Sequence, residues 1–167
     1  LRKRILFIQT VIIFGLLIVF NFMYFLHHYF IHSNVHITIY RSEGYKDLVR
    51  EVNKLLPKYS KAIITDRESS PTIFFLLYSL YSPEQFQKDT KTPAIPDFDR
   101  ISFGKYEFSQ EECPVRQQVN PNGSITITGE KAILYVNSGL CKKVPNTIVH
   151  KEVKRPDNST AFTILSI

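Results

Sequence analysis

Twenty-two consecutive residues, Ile5 to Leu26, contain no charged side chain, and only Gln9, Thr10, Asn21 and Tyr24 among them carry a hydrogen-bonding group. As an α-helix rising about 1.5 Å per residue the run reaches about 33 Å, enough for a hydrocarbon core of about 30 Å. In lipid every backbone N–H and C=O has to find its partner within the segment, so a single crossing has to be helical. A cleavable signal peptide has a shorter apolar stretch, of about 7–15 residues, followed by small residues. Here the run leads into His27, His28, Tyr29, Phe30 and Ile31 instead, which predicts an uncleaved anchor. Arg2-Lys3-Arg4 precede the run and no Lys or Arg lies close behind it, so the positive-inside bias predicts a cytoplasmic N-terminus in the cell membrane. The expected organisation is a membrane helix over residues 1–32 and an extracytoplasmic domain over 33–167.

Two features of the anchor suggest neighbours. The opening on Leu1 reads either as a piece of a longer polypeptide or as an alternative start codon. Thr10, Phe14, Leu17 and Asn21 share one helical stripe, and intramembrane Asn and Thr often hydrogen-bond across helices, although a single Asn is also tolerated in an apolar helix. The charge pattern argues against nucleic acid as a partner. Of 21 Lys and Arg, three sit at the mouth of the apolar run, leaving 18 against 15 Asp and Glu for the rest of the chain. A nucleic-acid surface would need a cluster of basic residues on the soluble face.

The remaining 135 residues suit one domain with its own core. Tyr45, Leu48, Val49, Val52, Leu55 and Leu56 recur at helical spacing before Pro57. Ala62-Ile63-Ile64-Thr65 reads as a buried strand, followed by a polar loop, Asp66 to Ser70. Pro71 suits the first turn of a helix running from Thr72 to about Leu80, with Ser69 or Ser70 as its cap, and Ser82-Pro83-Glu84 repeats that signature for a short helix through Gln87. After the Pro93 and Pro96 stretch the pattern turns to strands: Ile101–Phe103, Tyr106–Phe108, Ile125–Thr128, Ile133–Val136, Thr147–Val153 and Thr160–Leu165. Asn120-Pro121-Asn122-Gly123 and Arg155-Pro156-Asp157-Asn158 punctuate them as turns. This order predicts an α/β (α+β) fold, a layered domain with one mixed sheet covered by two or three helices and a hairpin at the end.

Few residues carry a chemical signal. Asp66, Arg67 and Glu68 follow the first strand at its C-terminal end, the edge where α/β sheets present ligands, and the helix start near Ser70 adds free N–H groups. Asp66, Arg67 and Ser70 are therefore the candidate ligand-binding residues, against the simpler reading of a charged loop and an ordinary cap. Glu111-Glu112 and Asp97/Asp99 read as solvated carboxylates. His28, His32 and His36 repeat every fourth residue, but no acidic group accompanies them, and amphipathic rings suit the headgroup zone without any metal. No metal site is expected, and no nucleophile or phosphate-loop motif occurs in the sequence. Cys113 and Cys141 would close a loop worth about 3–4 kcal/mol if bridged in an oxidising compartment, and two free thiols are the alternative.

The words Gly44-Tyr45-Lys46-Asp47, Lys61-Ala62-Ile63-Ile64-Thr65-Asp66, Pro71 to Tyr78, Tyr81 to Gln87, Phe103 to Phe108 and Leu134-Tyr135-Val136 together resemble a known tail. It is that of GT-C type membrane glycosyltransferases of the family 39 and aminoarabinose-transferase kind, which follows their last transmembrane helix. The resemblance covers most of Gly44 to Val136. It implies transfer of a sugar from a polyprenyl-phosphate donor outside the cytoplasm, with the catalytic acids in an early external loop that this chain does not contain. Its partners would be the lipid bilayer, the remaining transmembrane helices of a parent protein and a polyprenyl-phosphate-linked sugar. No catalytic residue and no cofactor fall on this chain, and any divalent metal would belong to the parent enzyme. The other reading is a single-pass envelope protein whose outer α/β domain binds a ligand or partner.

Overall fold

The computed structural model describes residues 2–32, 42–67, 69–90, 101–121 and 123–167. Two compact units divide the chain, Leu1–Thr38 and Ile39–Ile167.

The first unit is the helix α1 (Arg2–His27), continued by a π-helical turn, His28–His32. None of its residues is buried, and its best 18-residue window has a mean hydropathy of 2.5. By length and composition the helix can cross a membrane. The Thr10 hydroxyl donates to the Leu6 carbonyl at 2.9 Å and the Asn21 amide to the Leu17 carbonyl at 2.9 Å, so each polar side chain of the stripe finds an acceptor one turn back on its own helix. At the far end Tyr24, His28 and His32 meet edge to face, and Phe25 stacks on Tyr29. His36 lies outside the described residues.

The second unit starts with α2 (Tyr45–Leu55), whose periodic apolar residues Tyr45, Leu48, Val49 and Val52 are buried. Gly44 caps it at φ +98°, where a β-carbon would be strained and would press on Ala161 and Val153. Pro57 converts the end of the helix into a 3₁₀ turn, Leu56–Lys58. Then come β1 (Lys61–Thr65), α3 (Pro71–Tyr78), α4 (Pro83–Thr90), β2 (Tyr106–Ser109), β3 (Gln117–Val119), β4 (Ile125–Ile127), β5 (Ile133–Ser138), β6 (Ile148–Lys154) and β7 (Thr160–Ser166).

Five strands form one mixed sheet in the order β2-β1-β5-β7-β6. β1 runs parallel to both β2 and β5, while β7 is antiparallel to β5 and β6. β6 and β7 form the expected closing hairpin, its turn tied by Arg155 N–H to the Ser159 carbonyl at 2.8 Å. The strands alternate as the pleat requires. Ala62, Ile64, Leu134, Val136, Phe162 and Ile164 face the helices, where they pack with Leu48, Val49, Val52 and Phe75. Each such side chain, fully buried, contributes about 1.5–3 kcal/mol. Ile63, Ile133, Tyr135 and Leu165 point the other way into a smaller cluster completed by Val115, Val144, Ile127 and Ile167. Helices thus cover one face of the sheet, and a loop with the short β3–β4 hairpin covers the other.

Two expectations need correction. Ile101–Phe103 is not a strand: Phe103 makes an isolated bridge with Tyr106 across a tight turn at Gly104, which leaves no length of extended chain to pair. β3, in contrast, forms from Gln117-Gln118-Val119, a polar word whose side chains are all exposed and which pairs only with β4. Asn122 and the Pro93 and Pro96 stretch lie outside the described residues.

Candidate functional site

The parallel strands β1 and β2 end side by side, and the loops that leave them build an open cleft of about 620 Å³ lined by Asp66, Arg67, Gln110, Glu111, Glu112, Cys113 and Arg116. The two loop starts are tied together, since Asp66 N–H donates to the Ser109 carbonyl at 3.0 Å. Arg67 N–H reaches the buried Thr65 hydroxyl at 3.3 Å, and Glu111 N–H reaches the Ser109 hydroxyl at 3.1 Å. Strand ends thus set the backbone of both carboxylate-bearing loops, the reason this edge of an α/β sheet hosts ligands so often.

The wall that carries Glu111, Glu112 and Arg116 is held from beneath by β5. Asn137, itself buried, donates its amide to the Val115 carbonyl at 2.7 Å and accepts Val115 N–H at 3.0 Å, so one side chain pairs the loop as a neighbouring strand would. Ser138 N–H donates to the Glu112 carbonyl at 3.0 Å, and a disulfide joins Cys113 to Cys141, just past the end of β5, with S–S 2.08 Å. Three separate ties therefore fix seven residues of loop.

Within the cleft the Arg116 guanidinium pairs with the Glu111 carboxylate, both side chains about half exposed. A second recess of about 360 Å³ lies on the other side of the same wall, lined by Cys113, Val115, Arg116, Gln117, Val119, Lys142, Lys143 and Val144. Arg116 borders both. One side offers Asp66, Glu111, Glu112 and Arg67, and the other offers Lys142 and Lys143, the latter paired with Glu152 at 3.2 Å. Carboxylates and a guanidinium fork suit the hydroxyls of a polyol, whereas lysines beside a guanidinium suit a phosphate.

Of the residues the sequence singles out, Asp66 and Arg67 line the cleft and Ser70 does not. Ser70 holds the N-cap position of α3 with no side-chain capping bond, and Pro71 at the first helical position presets the backbone of the turn. Glu68 lies outside the described residues, as do Asp97 and Asp99. Glu111 and Glu112, read as merely solvated, form part of the cleft wall. Arg116 and Asn137 carried no sequence signal. Each stands alone in its stretch, and only the register of β5 against the loop brings them to the site. Among the described residues no three His, Cys, Asp or Glu are grouped to hold a metal ion.

Two other polar clusters use their groups on one another. Nearer the start of the same two strands, Lys61 of β1 pairs with Glu107 of β2 at 2.5 Å, a hydrogen bond that raises the lysine's pKa, and Asp89 accepts the Tyr81 hydroxyl together with Gly104 N–H at 3.2 Å. Tyr59, His150 and Ser166 form a hydrogen-bonded triangle with sides of 2.9, 3.0 and 3.3 Å that ties the 3₁₀ turn to β6 and β7. Comparison with models of protein families, with curated proteins and with solved structures yields no match.

Proposed function

We propose that this chain is the outer, non-catalytic module of a membrane glycosyltransferase that uses a polyprenyl-phosphate-linked sugar, anchored in the cell membrane by α1 with its basic start in the cytoplasm. The observation that carries the proposal is the pair of recesses on either side of Arg116: a carboxylate-rich cleft of the chemistry that holds sugar hydroxyls, adjoining a recess where Lys142, Lys143 and Arg116 stand beside Val115, Val119 and Val144, cations of the kind that hold a phosphate next to an apolar wall. The disulfide supports an oxidising, extracytoplasmic setting for the domain. In this reading the module binds and orients. The acid and base that move the sugar come from elsewhere in the parent, since a lipid-linked transfer needs a base at the acceptor and charge stabilisation at the departing phosphate.

The test is binding of a short-chain polyprenyl-phosphate sugar to the full chain in nanodiscs. Arg116→Ala removes a charge-assisted contact and should weaken binding about 10- to 100-fold, the equivalent of about 1.5–3 kcal/mol. Lys142→Ala should weaken the phosphate-bearing ligand and leave the free sugar unaffected. The intact chain should transfer no sugar. Turnover abolished by Asp66→Ala would overturn the accessory reading and make this domain the catalyst.

A second reading, a single-pass envelope protein whose outer domain binds a ligand or partner, is favoured by one observation. Thr10 and Asn21 satisfy their donors on α1 itself, so the polar stripe does not require neighbouring helices. The reading frame upstream of Leu1 separates the two: a series of further apolar spans supports the transferase, and a stop codon directly upstream supports the envelope protein.

A further inference from the structure

The turn between β6 and β7 contains Asn158-Ser159-Thr160, an Asn-x-Thr triplet whose middle residue is not proline. Such a triplet is the acceptor word for N-linked sugar on a surface loop of an exported domain. Asn158 and Ser159 are exposed, and Thr160, the first residue of β7, is half-buried. The fold uses the three residues unequally. Ser159, at the position the acceptor word leaves open, is tied four times. Its N–H and its hydroxyl donate to Asp157 Oδ1 at 2.9 and 2.6 Å, its hydroxyl accepts Arg155 Nη1 at 3.2 Å, and its carbonyl accepts Arg155 N–H at 2.8 Å. Asn158 contributes backbone alone, donating its N–H to the Arg155 carbonyl at 2.9 Å from a left-handed φ of +66°. Thr160 lends its carbonyl to Arg155 Nη1 at 3.0 Å. Neither the Asn158 side-chain amide nor the Thr160 hydroxyl has a hydrogen-bond partner among the described residues, and neither is buried.

A left-handed turn tip is met by glycine without strain and by aspartate as readily as by asparagine, so the turn itself does not call for a side-chain amide. The two groups that the acceptor word requires are the two that the fold leaves idle. We propose that Asn158 is an N-glycan acceptor, modified on Nδ2 by a separate membrane transferase that draws on a lipid-linked sugar phosphate. In that step the anomeric C–O bond to the phosphate breaks and its electron pair leaves on the phosphate oxygen. A C–N bond forms to Nδ2, and one amide proton passes to a base of the transferase. At the tip of the hairpin the sugar extends into water, and every tie of the turn to Ser159 stays in place. The inference rests on the extracytoplasmic placement of the domain in the reading above. Asn122-Gly123-Ser124 is a second triplet of this form, but Asn122 lies outside the described residues and plays no part in the proposal.

The full chain is isolated from the membranes of the cells that make it and digested with trypsin. Cleavage after Lys154 releases residues 155–167, which hold Asn158 and not Asn122, so sugar on the two triplets is read separately. By mass this peptide should carry a glycan, removed by an amidase that leaves aspartate in place of the asparagine. Thr160→Ala should lose the modification completely and Thr160→Ser should retain it. Ser159→Ala, which removes the hydroxyl that the turn uses, should also retain it. An unmodified peptide would overturn the inference. A sugar that resists the amidase, or that survives Asn158→Gln, would belong to a hydroxyl and overturn it too. A form with a Gly-Ser tail and an acceptor triplet appended after Ile167, inserted into microsomes with an active oligosaccharyl transferase in their lumen, separates the two levels. Sugar on the tail with none on Asn158 removes only the acceptor site, whereas no sugar on either removes the extracytoplasmic placement with it.

Discussion

The Tyr81 hydroxyl shows how one contact shifts two titrations. It donates to the Asp89 carboxylate, which also accepts from Gln85 at 2.7 Å and from Gly104 N–H, and α4 is thereby pinned to the turn before β2. Tyr81's hydrogen bond, with burial and the carboxylate's charge behind it, pushes the phenol up to about 12. The same bond lowers the Asp89 pKa, helped by Gln85 and Gly104 and opposed by burial. The signs follow from linkage. Asp89, depressed in the fold, contributes above its unfolded value of about 3.9, and that contribution is lost as pH falls through its folded pKa. Tyr81, raised in the fold, contributes below about 10, and its share is lost as pH rises toward 12. Ultraviolet titration should therefore find a late-ionising tyrosine that is missing in Tyr81→Phe and ionises earlier in Asp89→Asn, where burial alone still holds it up. No change in the late fraction in either variant would rule out the pairing. Gly104 belongs to the same contact: at φ +52° a β-carbon would press on the Tyr81 hydroxyl, at 2.8 Å.

At the scale of elements, the loop from Gln110 to Arg116 behaves as a sixth strand that never forms. It takes its order from β5, through Asn137 on one side and the disulfide on the other. Asn137→Ala would leave both the N–H and the C=O of buried Val115 unpaired, at a cost of about 2–4 kcal/mol in urea unfolding. Reducing Cys113–Cys141 frees a 28-residue loop and should cost about 3–4 kcal/mol on the chain-entropy model. Hydrogen exchange tells the two apart from general weakening. After reduction the amides of Val115 and Ser138 should exchange faster, while those of α2, on the other face of the sheet, keep their protection. Uniform loss of protection would mean that the loop is not an independent element. The same loop carries Arg116, so on the proposed function reduction should also weaken binding of the polyprenyl-phosphate sugar.

For the whole molecule, the governing asymmetry is between an uncovered apolar helix and a domain whose sheet is covered by helices on one face only. With the Lys and Arg of α1 confined to its start, a reporter active only outside the cytoplasm and fused after Ile167 should give signal. A cytoplasm-only reporter should give none, and Arg2, Lys3 and Arg4 changed together to Gln should erode that preference. The opposite pattern would sink the extracytoplasmic placement and with it the reading of the cleft. Wherever the domain sits, several of its surface cations stand in pairs with acidic neighbours: Arg50 with Asp47, Lys54 with Glu51, Arg116 with Glu111 and Lys143 with Glu152.

Periodicity alone made several elements readable. The uncharged run of Ile5 to Leu26, the 3.6-residue spacing of Tyr45 to Leu55, the β-branched word of β1 and the Pro-led starts of α3 and α4 are local patterns, and local backbone energetics act on them directly. The position of Asp66 and Arg67 at the end of β1 was legible, and both line the cleft there. The rest of the cleft was not legible, because its other wall comes from a loop about 45 residues further on that has no period of its own. Strand order brings that loop to the edge of β1, and long-range pairing leaves no mark in a short word of sequence. Asn137 and Arg116 illustrate the limit: each is an ordinary polar residue until the register of β5 places it. Ser70 shows the converse, a clear capping signal whose side chain makes no capping bond. Local chemistry determined which segments are helix and strand, the long apolar helix among them, while the tertiary pairing of distant strands decided which side chains share the cleft, because only closure of the sheet brings them within reach of one another.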